Sequence, residues 1–539
     1  MHLEPTRRPR LPAVGLTAAL TVAGVLAAPP EVQTPSQSNA PSIPSRLWVD
    51  ATSETIGETK EWTNKVEVAD LDADGRPDLL FANGGNYSEP GPPELSRVFF
   101  NQGPGRRFVE RTTAVFGPTP ALSRVIKARD VSGDGLVDIF VGTTYQTQSR
   151  LYLGTGGGSF REATATHLPQ VTLSVGDLEF GDVDGDGDLD VVLADWGAGN
   201  NMTNVGGRTR LWVNDGSGRF TDATDGRMPD ALVRFSWDLE LVDTDNDYDL
   251  DVLVSCKRCA GSYLFRNDGS GKFADESRVL PAYTNNYEFE AMDLDGDTFL
   301  DLVTINDGDI VNEVGSSRRE HVFRNDGRGR YRDATTRWWP PESNIGEDDN
   351  IVAFLDFDSD GDADFVVGSL SGPDRLLIND GKGHLTLARD VFDGPETPGT
   401  LGLALADLDG DGRMDVIQAQ GEHPTAVQER VFLGRGLQPD MSPPSVTIVN
   451  ARKLGGRPDV TIRARVHDRK SPLLATELRR VEVQWDSEKG PASVAMKWYG
   501  EYLWRIDIPA QFTEGTAFRV CATDAAGNTA CASPALATR

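Results

Sequence analysis

The chain has 539 residues, 38% of them hydrophobic, with 56 glycines, 32 prolines and a formal net charge of -30. That length exceeds what one hydrophobic core fills, and the turn-rich composition excludes a helical bundle in favour of an all-β chain of two or more domains. The acidic excess excludes a nucleic-acid partner, because phosphate binding needs clustered Lys and Arg.

At the N-terminus Arg7, Arg8 and Arg10 precede an uncharged stretch, residues 11–28, that contains Val25-Leu26-Ala27 near its end. A basic start, an apolar middle and small residues at the close predict a secretory signal over residues 1–27; the competing reading is an uncleaved anchor, for which the stretch is short. Residues 28–45, rich in Pro and Ser, read as a linker. No other segment is apolar enough to span a membrane, so the mature chain is expected to be secreted or extracellular, in the periplasm or at a cell surface.

Residues 46–436 are dominated by one pattern, D-x-[DS]-x-D-x-x-x-D, which begins at Asp70, Asp130, Asp182, Asp243, Asp293, Asp356 and Asp407. Each copy lies between an alternating segment such as Val66-Glu67-Val68-Ala69 and an apolar run such as Val191-Val192-Leu193, which are two strands joined by the aspartate loop. A third strand follows, then a turn such as Asn214-Asp215-Gly216-Ser217-Gly218, whose glycines supply positive φ, and a fourth strand that opens on an aromatic residue. A four-stranded unit cannot bury both faces alone, and radial repetition into a seven-bladed β-propeller is the expected answer. The seventh unit lacks its fourth strand, whereas Leu47-Trp48-Val49-Asp50-Ala51-Thr52 has the fourth-strand pattern with no unit of its own. The N-terminal strand is therefore expected to close the last blade. The first, third and fifth units carry long insertions between strands two and three, such as residues 196–208, at the end of the propeller opposite the aspartate loops.

The loops read as cation sites. Carboxylates at positions one, three, five and nine can converge on one ion, and an all-oxygen set suits Ca²⁺. The ligand sets are Asp70, Asp72, Asp74 and Asp78; Asp130, Ser132, Asp134 and Asp138; Asp182, Asp184, Asp186 and Asp190; Asp243, Asp245, Asp247 and Asp251. They continue with Asp293, Asp295, Asp297 and Asp301; Asp356, Asp358, Asp360 and Asp364; and Asp407, Asp409, Asp411 and Asp415. An EF-hand is excluded, because position twelve holds residues such as Phe81 and Leu193 in place of Glu. Four loops match D-x-D-x-D-G-x-x-D in full, whereas Ser132, Tyr248 and Thr298 depart from it. Four to seven bound Ca²⁺ ions are expected on that count. Tyr248 and Thr298 stand where Gly would take positive φ, so their loops are expected to bend differently or bind less tightly.

Residues 437–444 form a second linker, and segments such as Val460-Thr461-Ile462-Arg463, Val481-Glu482-Val483 and Phe518-Arg519-Val520 alternate as in a β-sandwich of the immunoglobulin-like kind over residues 445–539. In an exported chain Cys256 with Cys259, and Cys521 with Cys531, are expected as local disulfides, since no second CxxC completes a zinc site.

Loops followed by Phe140-Val141-Gly142 or Val366-Val367-Gly368 resemble the FG-GAP repeats of integrin α-subunit propellers. The Asn-Asp-Gly hairpins resemble the VCBS-type repeats of bacterial secreted proteins and of cartilage acidic protein, and the likeness covers residues 46–436. It implies a seven-bladed propeller with calcium in its loops and a role in adhesion or extracellular recognition; some relatives belong to polysaccharide-degrading enzymes. The ending departs from the cartilage acidic protein type and looks like bacterial immunoglobulin-like modules.

No H-E-x-x-H, G-x-S-x-G or P-loop occurs. The expectation is a binding module without catalysis, taking a glycan or protein at the end opposite the loops. A calcium-assisted polysaccharide lyase or hydrolase and a ligand-free spacer are the alternatives. Trp62, Trp196, Trp237, Tyr287, Trp338 and Trp339 are the candidate ligand-binding rings, each weighed against filling a gap between blades. Glu67, Glu179, Glu240 and Glu290, three residues before their loops, with Lys127, are candidates for lining a central channel.

Overall fold

The alternation around Val66 and the run from Leu79 become the first two strands of an antiparallel sheet, Thr63–Ala69, Asp78–Asn83, Arg97–Phe100 and Val109–Glu110, in the computed structural model of the chain. The structure describes residues 46–534 apart from Tyr87, Asn201, Thr284, 307–319, 396–398, 422–427, 454–459, 473–476, Glu488 and 509–516. The expected signal and first linker lie outside the described residues. The chain is all-β, with 45% strand and 5% helix. No helix among the described residues is long and apolar enough to cross a membrane.

The same four-strand order recurs in sheets whose first strands are Ser123–Arg129, Val175–Gly181, Leu239–Val242, Asn286–Met292 and Asp349–Leu355. In the last sheet of the series Thr400–Ala406, Asp415–Gln420 and Arg430–Leu433 are followed by Trp48–Asp50 from the start of the chain, antiparallel to Arg430–Leu433, with Phe392–Asp393 parallel on its outer side. Neighbouring sheets pack through their first strands, and Thr400–Ala406 packs back against Thr63–Ala69. One cavity is lined by Val66, Ile126, Asp177, Glu240, Glu290, Val352 and Leu403, so all seven sheets of the series face it. This radial arrangement is a β-propeller fold.

Between sheets the wedge is filled by apolar side chains from both neighbours, such as Phe323, Trp339, Phe354 and Phe365 between the fifth and sixth. At the loop end a repeated amide latch ties them. Asn214 Nδ2 donates to the Val131 carbonyl of the preceding sheet's aspartate loop at 2.8 Å, and Asn267, Asn325 and Asn379 make the equivalent bonds to Val183, Thr244 and Leu294. Asn101 of the first sheet makes it to Leu408 of the seventh at 2.7 Å.

The described residues between 445 and 534 form two further four-stranded sheets, one built on Val460–His467 and Leu503–Ile508, the other on Leu478–Ser487 and Phe518–Asp524. They share a core of Ile462, Val481, Val483, Trp504 and Val520. Both cysteine pairs are disulfides, Cys256–Cys259 and Cys521–Cys531. The 437–444 segment is pinned along the propeller: Leu437 is buried, and Asp440 N donates to the Gly412 carbonyl at 2.8 Å.

Candidate metal centres

Each aspartate loop joins strands one and two, and its ninth residue opens strand two: Asp78, Asp138, Asp190, Asp251, Asp301, Asp364 and Asp415. The ninth carboxylate fixes the loop from both sides. Asp78 accepts from Leu71 N at 3.0 Å and from Asn101 N, at the end of strand three, at 2.8 Å. Position one closes the turn: Asp70 accepts from Asp74 N at 3.0 Å and Gly75 N at 2.9 Å, and Asp182 from Gly185 N and Gly187 N. The sixth position is left-handed throughout, with φ of 84° at Gly75 and 105° at Gly187. Tyr248 and Thr298 adopt the same conformation, at 69° and 74°. Of the two expected outcomes, a different bend is not seen: their loops keep the common bend and bear the strain of a Cβ at positive φ.

The fit to a cation rests on position three. Asp72, Asp184, Asp245, Asp295 and Asp409 each have one buried oxygen, Oδ1, with no hydrogen-bond partner among the described residues. For four of them the other oxygen is held from outside by an arginine: Arg227 on Asp184 at 2.9 Å, Arg266 on Asp245 at 2.8 Å, Arg324 on Asp295 at 2.6 Å, and Arg435 on Asp409 at 2.5 Å. A buried acceptor without a donor costs about 1–3 kcal/mol, so its recurrence in five loops marks a place for a positive ligand. Carboxylate oxygens of Asp70, Asp72 and Asp78, and of Asp182, Asp184 and Asp190, lie within 4.8 Å of one another, as do those of Asp243, Asp245 and Asp247. The same holds for Asp293, Asp295 and Asp297, and for Asp356, Asp358 and Asp360. Burial is the main force raising the metal-free carboxyls, opposed by their backbone donors: Asp138 to about 6, Asp78 to about 7, Asp190 and Asp415 to about 8. Asp251, Asp301 and Asp364 are pushed well above the ordinary range for the same reason.

The C-terminal sheets dock on this loop end. Arg505 pairs with Asp182 at 2.7 Å, Arg465 with Asp243 at 2.9 Å and Arg463 with Asp249 at 2.7 Å, while Asp182 N donates to the Tyr499 carbonyl at 2.8 Å. Tyr248 packs in the same apolar cluster as Tyr499 and Leu503, and its carbonyl accepts from Tyr499 Oη at 2.8 Å. The Tyr248 side chain is thereby buried against the docked sheets. Sequence spacing did not reveal the docking, since the arginines alternate along their strands as solvent-facing residues do. In calcium-free protein Arg465→Ala would leave Asp243 buried without a cation. A loss of about 3–5 kcal/mol is expected, read as a lowered unfolding midpoint in urea; an unchanged midpoint would show that the pair contributes nothing.

Trp196, Trp237 and Tyr287 do lie together at the end opposite the loops, but they are buried, not presented. Trp196 and Trp237 sit 6.2 Å apart around Phe235, and Arg124 covers the Trp237 ring at 4.0 Å. Trp338 and Trp339 are core residues between the fifth and sixth sheets, and a Cβ on Gly383, in the loop-end hairpin, would fall 2.5 Å from Trp338. Diverging sheets leave a wedge that large rings fill, and that packing claims their surface. Trp62 is half-buried and donates to Asn64 Oδ1 at 3.1 Å. The large hydrophobic side chains exposed in this region are aliphatic: Met202, Val205 and Leu232 are 79%, 70% and 54% exposed, in the third sheet's insertion and the segment bridged to it at Gly207 and Val233. Three apolar residues in a polar loop region were the available signal.

A family model described as an FG-GAP-like repeat matches residues 70–141, 130–193, 243–304 and 356–417, and these matches together include all seven loops. No curated protein matches the chain. Among solved structures, an ancestral GH74 enzyme is similar at 11% identity and a TM-score of 0.41, over 91% of this chain and 64% of that one. The Photorhabdus luminescens Tc holotoxin pore is similar at 13% identity and a TM-score of 0.33, over 83% of this chain and 22% of that one. The chain spans less than two thirds of the length of either. With its loops and sheets in register with those matches, the chain carries four FG-GAP-like repeats on a β-propeller fold.

Proposed function

We propose that the chain is an exported, calcium-binding propeller of seven blades, closed by the N-terminal strand and followed by an immunoglobulin-like sandwich, that recognises a protein or glycan ligand at the end opposite its aspartate loops. The observation that carries this reading is the contrast between the two ends. The loop end holds the carboxylates with unpaired buried oxygens and is engaged by the C-terminal sheets through Arg463, Arg465 and Arg505. The other end offers Met202, Val205 and Leu232 to solvent and buries the packed rings of Trp196, Phe235 and Trp237. Exposed aliphatic side chains suit a protein surface better than a sugar ring. Calcium, when bound, would supply charge neutralisation and fixed geometry to the loops; positions one, three, five and nine would hold it. The reading is of binding without catalysis, because each acidic set is spaced around a single point and does not flank a bond to be cleaved.

Immobilised wild-type chain is expected to capture a ligand from glycan and protein arrays without turning it over. Met202→Glu with Val205→Glu is expected to weaken that capture at least tenfold, leaving the calcium-dependent melting temperature unchanged. Capture that survives the double substitution would place recognition elsewhere. Release of shortened glycan would overturn the binding-module reading.

A further inference from the structure

The channel faced by the first strands holds more negative than positive charge. Its cations are committed. Lys65 reaches Asp177 at 3.3 Å and Asp238 at 3.6 Å, Lys127 pairs with Glu179, and Arg129 pairs with Glu67. Glu288 accepts from Val352 N at 2.7 Å, and Glu290 is bonded by the Ser471 side chain. Glu240 is different. Only 9% exposed, it lines the channel with no hydrogen bond or ion pair among the described residues; Glu290, Glu501, Asp238 and Glu179 surround it, and the one described cation lining the cavity it shares with Glu501, Arg129, is paired with Glu67. Glu501 comes from the C-terminal sheets and closes the loop end of the channel. Here a cavity of about 10 Å³ lies between Glu179, Glu240, Glu290 and Glu501, beside Arg129, Pro472 and Trp498, and opens towards a wider one of about 40 Å³. The smaller is about the size that one water or one ion fills.

We propose that this end of the channel binds one hard cation of the Ca²⁺ class, held by the carboxylates of Glu240, Glu290 and Glu501. Three oxygen ligands from two parts of the chain, completed by water in the wider neighbouring cavity, match the coordination such ions take, and no sulfur or imidazole lines either cavity to favour a transition metal. Ser471 bonds Glu290 and Tyr502 bonds Glu501, but clustered buried carboxylates still repel one another, and a cation or a proton relieves that repulsion. The site is separate from the seven loops, and because Glu501 belongs to the C-terminal sheets, it joins them to the propeller axis.

Crystals of the full chain soaked in Mn²⁺ test this by anomalous diffraction. A peak among Glu240, Glu290 and Glu501 is expected in the wild type, and it should vanish in Glu240→Gln with Glu501→Gln while any loop peaks persist. Native mass spectrometry should show the double variant carrying one ion fewer than the wild type, a readout independent of crystal growth. An axial channel without a peak, whether or not the loops are filled, would overturn the proposal. So would an unchanged ion count together with a raised melting temperature in the double variant, the signature of carboxyls held protonated.

Discussion

Removing residues 1–45 should leave the protein folded, whereas removing residues 1–52 should unfold it or drive it to aggregate. The difference is a single short strand. Trp48 has no exposed surface and stacks on Phe392 at 5.1 Å, its Nε1 donates to the Met414 carbonyl at 2.9 Å, and Leu47 is 1% exposed. The backbone of Trp48 bonds Val391, just before the strand Phe392–Asp393, and that of Ala51 bonds Val431 in Arg430–Leu433. Losing one large buried side chain costs about 2–5 kcal/mol, and losing two with their strand approaches the roughly 5–15 kcal/mol that holds a domain together. The edges of Arg430–Leu433 and Phe392–Asp393 would also be left unpaired, which invites association. Circular dichroism melting and light scattering on the two truncations read this directly. Equal stability would mean that the strand is dispensable.

Chelation should lower the melting temperature, and more so at pH 8 than at pH 5. Burial raises the metal-free carboxyls of Asp138, Asp78, Asp190 and Asp415 to between about 6 and about 8. Such groups favour the folded state while protonated, and that contribution is lost as pH rises through the folded values. A cation needs the deprotonated form, so calcium should offset the loss and its effect should grow with pH. Each filled site contributes about 2.7 kcal/mol when the ion stands at a hundred times its dissociation constant. A few loops therefore suffice to rival the total stability of a domain. Restoration should be better with Ca²⁺ than with Mg²⁺, which tolerates less varied geometry. Melting that ignores both chelator and pH would count against metal in the loops.

The repeat was legible because everything that defines it is local. Ligand spacing, the glycine at the turn and the flanking alternation all fall within one strand-loop-strand unit, and strand counting then assigned Trp48–Asp50 to the last sheet. Glu67, Lys127, Glu179, Glu240 and Glu290 could be placed in the channel because strands one share a register relative to their loops. Asp177, Asp238, Glu288 and Lys65 lie two residues earlier, and the period of a strand puts them on the same face. Other features depended on distant partners. Nothing near Arg465 signals that Asp243 lies beneath it, 222 residues earlier in the chain. The rings at Trp196 and Trp237 were locatable but their burial was not, because it depends on Tyr145, Phe235 and Arg124 closing over them.

The orphaned oxygen at position three is the centre of the account, and counting bound calcium tests it most directly. Equilibrium dialysis of the full chain against micromolar Ca²⁺, followed by elemental analysis, should find about four to seven loop ions per chain. In Asp184→Asn, which keeps the shape of the side chain and removes the charge beside the unpaired oxygen, the count should fall by one. A wild-type chain that retains less than one calcium, or an Asp184→Asn chain that retains as many as the wild type, would contradict it.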